Sequence, residues 1–434
     1  MIIKKLPILG VAALSGILLT QNTLAEDTLT NALTGGKTSA NLQYRYENVS
    51  TSSTTLKSAT AHTVRLRLGY TTDTFKGIGA MVEAESVSAL GDKKYDSKAS
   101  GQTGNGYETI ADPTASEINQ AYLSYTGIEN TTAKWGRQRI KLDNDRFIGN
   151  VGWRQNEQTY DAFTLVNTSL PDTKITVGYI TNVNRVFSDD SATPISGAAG
   201  GNHKMESTIL NANYKGLSFG ELVGYAYMLK YDPITLATDN TADTMGIRLT
   251  GSVPISDNKL LYTGEFATQK DGGNNPTEYS ANYTLLEGGI DISSAVFKLG
   301  YEVLGADSGA TAKVGGAATT KSFSTPLATL HAFNGWADLF LGTPSDGLKD
   351  TYVSAGTKIA GVKLAAVFHT FKTDKTNATT GNSNLGKEMD LVVVKPIDKN
   401  YTVGLKYAKY TAGSNNAAGK LDTKKAWLWG ELKF

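Results

Sequence analysis

The amino-acid sequence predicts an all-β protein, a transmembrane antiparallel β-barrel of about eighteen strands. Three observations support this prediction. Segments of about ten residues alternate between apolar and polar side chains along the whole chain. Short polar connections alternate with long ones. The two ends of the chain carry the signals of an exported barrel, and the sequence contains no cysteine, which excludes disulfides and thiolate chemistry.

The N-terminus has the pattern of a secretory signal. Lys4 and Lys5 precede an apolar run at 8–19, and the small residue Ala25 ends the segment. Because the apolar run is too short to span a bilayer, we predict that residues 1–25 are a cleaved signal peptide, with a retained membrane anchor as the alternative. Removal of the two lysines leaves 40 basic and 41 acidic residues, and this balance argues against nucleic acid as a partner.

The C-terminal segment alternates to the last residue. Leu428, Leu432 and Phe434 lie on one face, and Glu431 and Lys433 lie on the other. A final strand that ends in phenylalanine resembles the closing strand of bacterial outer-membrane barrels, and it predicts recognition by the barrel-assembly machinery through Phe434. Residues 26–434 are therefore expected to form a single outer-membrane barrel domain.

The strand count comes from the connections. Tight links near 73–76, 127–131, 169–172, 215–216, 254–258, 291–293, 360–361 and 396–399 alternate with longer loops. The longer loops lie near 49–61, 88–115, 141–156, 185–203, 231–240, 270–277, 305–348, 373–386 and 411–421. Eight tight turns and nine loops require eighteen strands, with short periplasmic turns and long extracellular loops. Sixteen strands are the alternative, because the pattern is weakest near 200–214 and 270–290.

A dense group of charges lies between Lys134 and Asp161, and it suggests a lining for a water-filled pore. Arg137, Arg139 and Lys141 follow each other at i, i+2 and i+4, so in an extended chain they share one face and form a basic wall. The acids of the same stretch are expected to form the opposite wall, which would orient polar solutes. The predicted pore-lining residues are Arg45, Arg65, Arg67, Arg137, Arg139, Lys141, Asp143, Asp145, Arg154, Glu157 and Asp161. The alternative is that these charges pair locally and attach a loop to the barrel wall.

The arginines are unevenly distributed along the chain. All nine lie at or before Arg248, whereas lysines occur throughout. Arginine holds a carboxylate through two parallel hydrogen bonds, so an arginine-rich sector of the lumen would suit a carboxylated solute. The alternative is that the arginines pair with Glu47, Glu83 and Glu85 across neighbouring strands.

The loop at 305–348 is the second candidate. Its segment 324–342 is too apolar to extend into water, so we expect the loop, like the one at 141–156, to fold over or into the pore as a lid. His331, Trp336 and Asp338 would then touch solute. The alternative is ordinary packing against the barrel mouth.

Catalysis finds little support in the sequence. The four histidines, His62, His203, His331 and His369, lie in different segments, and no pair has zinc-ligand spacing. No G-x-S-x-G motif is present. We therefore expect no enzyme activity, catalytic residue, metal site or cofactor.

Two stretches resemble the alginate-export family of outer-membrane proteins. One runs from Trp135 to Asp161 and contains WGRQR and DRFIGNVGWRQNEQTYD, and the other, at 325–338, contains TPL and HAFNGWAD. The resemblance implies an eighteen-stranded barrel, in agreement with the turn count. It also implies an electropositive pore that exports a polyuronate. The residues to line such a pore here would be Arg65, Arg67, Arg137, Arg139 and Arg154.

These patterns lead to one expectation and two alternatives. We expect a passive porin-like channel for small hydrophilic, mainly anionic, solutes, surrounded by lipid and lipopolysaccharide of the bacterial outer membrane, as a monomer or a trimer. One alternative is an exporter of an acidic polysaccharide such as alginate. The remote alternative is an outer-membrane enzyme or adhesin.

Overall fold

A computed structural model of the chain describes residues 28–99, 102–188, 200–232, 238–414, 416 and 418–434. The predicted signal peptide, residues 1–25, lies outside these residues. Among the residues described, no helix has the length and apolar character needed to cross a membrane.

Eighteen antiparallel strands form one closed sheet, so the prediction of an eighteen-stranded barrel is confirmed and the sixteen-strand alternative is wrong. Each strand pairs with its neighbour in the chain, and the last pairs with the first. The barrel strands are β1 Lys37–Thr51, β2 Ala59–Thr71, β3 Ile78–Ala89, β4 Ala115–Tyr125, β5 Thr131–Gln138, β6 Thr159–Asn167, β7 Thr173–Asn184, β8 Asn202–Leu217, β9 Gly220–Leu229, β10 Ala242–Ile255, β11 Asn258–Asp271, β12 Ser280–Ile292, β13 Ala295–Leu304, β14 Leu348–Ile359, β15 Val362–Lys372, β16 Asn384–Pro396, β17 Tyr401–Ala412 and β18 Thr423–Lys433. Closure leaves no unpaired sheet edge, as a membrane-spanning sheet requires.

The other elements of the described chain are short. A helix, α1 (Leu29–Thr34), precedes β1, and two 3₁₀ turns occupy Thr238–Asn240 and Leu330–Ala332. Two-residue strand pairs occur in the loops, Thr277–Glu278 with Thr311–Ala312 and Ala306–Asp307 with Lys321–Ser322. The alternation of tight turns and long loops follows the predicted order throughout.

The outer face of the barrel is apolar and the inner face is polar. Large side chains such as Trp135, Leu299 and Leu405 point outward and are more than half exposed. The intervening positions carry the buried charges, for example Arg65 on β2 and Glu302 on β13. This is the reverse of a water-soluble sheet and the pattern of a barrel whose outer surface meets lipid.

The hydrophobic core of the molecule lies inside the barrel. Two extracellular loops, which we call inner loop 1 (residues 139–158) and inner loop 2 (residues 305–347), contribute Ile148, Phe147 and Leu327 to one cluster with inward strand residues such as Tyr283 and Tyr410. An eighteen-stranded barrel is too wide for its wall side chains alone to fill. The loops therefore supply the material that packs the lumen.

Candidate functional site

Inner loops 1 and 2 pack directly on each other in the lumen. Ile148 and Leu327 form a parallel β-bridge, and the Gly149 amide donates to the Leu327 carbonyl at 2.9 Å. The Thr329 amide donates to the Asp145 carbonyl, also at 2.9 Å. The two loops, which are far apart in sequence, thus form one unit.

Arg146 attaches this unit to the barrel wall. It is almost fully buried, and its Nε donates to Glu302 Oε1 of β13 at 2.7 Å. Its two terminal nitrogens donate to Thr325 Oγ1 and Asn334 Oδ1 of inner loop 2, each at 3.1 Å. One guanidinium therefore joins both loops to the wall, a geometry that lysine could not reproduce.

Asp338 and Arg154 form a second attachment. Arg154 Nη2 donates to Asp338 Oδ2 at 2.9 Å, and Nη1 donates to Glu47 Oε2 of β1 at 2.9 Å. Asp338 also accepts from Lys425 Nζ of β18 at 2.9 Å. Its interaction with a neighbouring histidine, together with the positive charges of Lys425 and Arg154, outweighs burial and holds the pKa of Asp338 well below its usual range.

The neighbouring histidine is His331, which is held on three sides. Its ring stacks on Trp153 of inner loop 1, with centroids 4.5 Å apart and planes at 4°. Nδ1 lies 2.6 Å from Asp338 Oδ1, and Nε2 lies 3.0 Å from Lys406 Nζ. Burial lowers the pKa of His331 to about 3. The neutral ring therefore donates from Nδ1 to Asp338 and accepts at Nε2 from Lys406.

Lys406 of β17 lies between two indole rings. Its Nζ is 3.9 Å from the Trp153 centroid and 4.1 Å from the Trp336 centroid. Cation–π attraction to both rings therefore contributes to the stabilisation of this buried ammonium.

The arginines of β1 and β2 face the lumen, and each donates a hydrogen bond to a backbone carbonyl of inner loop 1. Arg45 donates to the Trp153 carbonyl and pairs with Asp112 at 3.5 Å. Arg65 Nη1 and Arg67 Nη2 both donate to the Gln155 carbonyl, at 3.3 and 3.1 Å.

Glu157 lies between two lumen arginines, Arg67 and Arg139. It pairs with Arg139, lies 3.5 Å from Arg67, and accepts from Asn119 and Asn150 at 2.5 and 2.6 Å. Burial would raise the pKa of Glu157, but the charges of Arg67 and Arg139 prevail and lower it to about 2. Arg139 also pairs with Glu83 of β3.

Arg137 does not join this group, although it lies only two residues before Arg139. It shares the outward face of β5 with Trp135 and pairs with Asp161 of β6, Nε to Oδ1 at 2.8 Å. Asp161 in turn shares its face with the exposed Phe163. The prediction of a common face for Arg137 and Arg139 was wrong because β5 ends at Gln138, and the chain then bends inward.

The predicted wall of acids opposite a wall of arginines is also absent from the described residues. Asp143 accepts from Asn211 and Asn213 of β8 at 2.8 and 2.9 Å, and Asp145 pairs with Lys141 at 3.0 Å. The acids are instead interleaved with the arginines or bound to amides. The charged stretch therefore attaches a loop to the wall, which was the alternative interpretation of the sequence.

Two cavities remain beside the packed loops. The first, of about 380 Å³, lies toward the periplasmic ends of β1 and β18, because Ser39 and Phe434 line it. Its charged lining consists of Arg65, Arg67, Arg139, Lys433, Glu83, Glu157 and Glu431. The second, of about 510 Å³, has the charged lining Arg248, Lys298, Glu287, Glu302 and Asp350, with His369, Phe333 and Trp336. The first cavity is thus richer in cations and the second richer in acids.

Of the predicted lid residues, only Trp336 lines a cavity, while His331 and Asp338 are buried in the attachment described above. Sequence reasoning missed Lys406, Lys425 and Trp153. The alternation of β17 marked Lys406 as inward, but its partners His331, Trp153 and Trp336 are 70 residues or more away and left no local signal. No group of three acidic or histidine side chains suited to a metal ion occurs in the described ranges.

Solved structures with the same fold are outer-membrane proteins. Acinetobacter baumannii OccAB4 superposes with a TM-score of 0.68 at 14% identity, covering 93% of this chain and 99% of that one. Pseudomonas aeruginosa OpdK with vanillate gives 0.67 at 13% identity, and Pseudomonas aeruginosa OccK8 (OprE) gives 0.68 at 14%, each with the same coverage. At these identities the likeness establishes the fold.

The sequence adds the family. No curated protein sequence is significantly similar to the chain. The family model described as alginate export matches residues 37–284, which are more than half of the 434 residues. The chain therefore belongs to the alginate export family, as its two motif-bearing stretches indicated, and is a β-barrel protein of the bacterial outer membrane.

Proposed function

We propose that the protein is a passive channel for small hydrophilic, mainly anionic, solutes, with inner loops 1 and 2 as its constriction. The observation that carries this proposal is the cation-rich cavity beside inner loop 1. Four basic side chains and three acidic ones line it, and the Arg139 side chain is 30% exposed there. Arginines aimed into a confined space attract carboxylates and exclude cations.

The dimensions of the lumen favour small solutes over polymers. Cavities of about 380 and 510 Å³ lie beside the packed loops. These volumes match the usual range of small-molecule sites. The vanillate in the OpdK structure is likewise a small carboxylate, although it belongs to that protein.

The surroundings of the channel follow from the same proposal. Residues 1–25 direct export and are removed, Phe434 closes the strand recognised by the barrel-assembly machinery, and the chain performs no catalysis. Flow follows the concentration gradient, because no nucleotide or ion site is needed to explain the lumen.

Solute entry into liposomes tests the proposal. Purified protein is reconstituted, and swelling rates are compared for a monouronate, its neutral sugar of the same ring size, an amino sugar and an oligouronate. We expect the monouronate to enter fastest and the amino sugar slowest. Equal rates for the uronate and the amino sugar would refute anion preference, and no entry of any solute would refute the channel.

Export of an acidic polysaccharide is the second candidate, because the family is described by alginate export. It requires inner loop 2 to leave the lumen, since a polymer cannot pass the two packed loops. Fast entry of the oligouronate only after removal of residues 323–340 would favour this function.

A further inference from the structure

Five lysines form a continuous arc on the outer surface of the barrel. They are Lys349, Lys372, Lys387, Lys409 and Lys424, one on each strand from β14 to β18. Each lies on the lipid-facing side near the extracellular end of its strand, and all except the half-buried Lys349 are exposed. Neighbouring strands lie about 4.8 Å apart, so the arc extends over about 20 Å.

Strand register brings these lysines next to each other. Lys349 is directly opposite Lys372, and Lys409 is directly opposite Lys424. Lys387 lies diagonally between the two pairs. It is directly opposite Thr370, which is two residues before Lys372, and it lies two residues before Met389, which is directly opposite Lys409. Directly opposite side chains have Cβ atoms about 5 Å apart, and diagonal ones about 7–8 Å.

Like charges in this arrangement repel each other, and the protein supplies little to offset them. Lys349 pairs with Asp374 at 3.0 Å. Within the described part of the chain, the other four lysines have no carboxylate within salt-bridge distance. Like charges directly opposite on a sheet are destabilising. An external anion would remove that repulsion.

The outer rim on the other side of the barrel is different. There several outward charges have neighbours of opposite sign, such as Lys230 with Glu206 at 2.5 Å and Asp243 directly opposite Lys270. Arg137 and Asp161 are a third example. The row of neighbouring lysines is thus a feature of β14–β18.

An apolar groove lies below the arc on overlapping strands. Its volume is about 340 Å³, and its lining includes Phe297, Ala355, Ala366 and Leu391 on β13–β16. Its lining residues on β14, β15 and β16 are four to eight residues from the lysines along their strands, or about 13–26 Å. Half of a hydrocarbon layer is about 15 Å thick, so a chain anchored at the arc reaches the nearer end of the groove.

We propose that the outer face of β13–β18 is a docking surface for a phosphorylated glycolipid of the outer leaflet. Its phosphates lie on the lysine arc, and one acyl chain lies in the groove. Each lysine near an anionic membrane surface adds to the electrostatic attraction, so four lysines without a carboxylate partner among the described residues make a strong site. The site is on the lipid side of the wall and is independent of solute passage.

Titration with bisphosphorylated lipid A, followed by native mass spectrometry of the full-length mature protein, tests the proposal. The arc variant carries Lys372→Gln, Lys387→Gln, Lys409→Gln and Lys424→Gln. The control variant carries Lys174→Gln, Lys204→Gln, Lys215→Gln and Lys259→Gln, which remove the same charge from exposed lysines on β7, β8 and β11. We expect the arc variant to bind lipid A at least about tenfold more weakly than wild type, and the control to bind like wild type.

Two further arms identify the ligand. Dephosphorylated lipid A should bind wild type no better than it binds the arc variant, and inorganic phosphate at equal phosphate concentration should not displace the lipid. Three results would each overturn the proposal. They are an equal loss of lipid A affinity in the arc and control variants, tight binding of the dephosphorylated lipid, and displacement of the lipid by phosphate alone. In lipid-A-free detergent the arc variant should melt at or above the wild-type Tm, and a lower Tm would contradict the repulsion on which the proposal rests.

Discussion

Replacing Asp338 with asparagine should release inner loop 2 from the barrel wall while the barrel itself stays closed. The carboxylate is only 4% exposed and faces His331, Arg154 and Lys425 at 2.6, 2.9 and 2.9 Å. The variant leaves two buried cations without this partner. Removal of one member of a buried ion pair costs about 3–5 kcal/mol. That cost corresponds to a shift of about 10² to 10⁴ in the equilibrium between attached and released loop.

Single-channel conductance and limited proteolysis measure this release. Because inner loop 2 fills the lumen, Asp338→Asn should raise conductance and expose residues 323–340 to protease, while the heat-modifiable mobility of the barrel stays unchanged. Asp307→Asn is the matched control, since this side chain in the same loop binds only backbone amides at 2.8 Å among the described residues. Wild-type conductance and wild-type protease resistance in Asp338→Asn would refute the role of this attachment.

Three other predictions concern the lumen. Arg139→Glu should shift the reversal potential toward cations and Arg137→Glu should not, because only Arg139 faces the lumen; equal shifts would contradict this assignment. Acidification should release the loops, because two buried groups of the attachment have lowered pKa values. The pKa of Glu157 is lowered to about 2 from 4.5, and burial lowers the pKa of His331 to about 3 from 6.5. A group with a lowered pKa stabilises the attached state at high pH, so the attachment is complete above pH 6.5 and weakens as the pH falls toward 2. Conductance recorded between pH 7 and 3 checks this sign, and a decrease on acidification would oppose it. Gly335→Ala should weaken the attachment of inner loop 2 by about 1–3 kcal/mol, because the position has φ +87° and the new Cβ would lie 2.5 Å from Glu388 Oε2. Gly342→Ala is the control, since its new Cβ would have nothing within 4 Å, and it should match wild type in a protease-resistance assay. Equal protease resistance of the two variants would count against the argument.

The barrel could be predicted because its signals are local. Alternation and turn residues act within one strand or one connection, so the order of strands and loops followed from segments such as β2 and the turn at Ala360 and Gly361. Closure of the barrel required only an even number of strands and a final strand able to pair with the first.

The charged contacts could not be predicted because they are long-range. Arg154 and Asp338 are 184 residues apart, and Arg146 and Asn334 are 188 apart. The i, i+2 rule also failed at Arg137 and Arg139, since it holds only while the chain stays extended. Where β5 ends, a difference of two residues places one arginine outside the barrel and the other inside.

The reversal potential of the purified protein in a planar bilayer, under a potassium chloride gradient at neutral pH, tests the central claim most directly. We expect a reversal potential that indicates anion selectivity and that Arg139→Glu shifts toward cation selectivity. A cation-selective conductance, or no conductance in wild type and in Asp338→Asn alike, would contradict a passive anion channel constricted by the two inner loops.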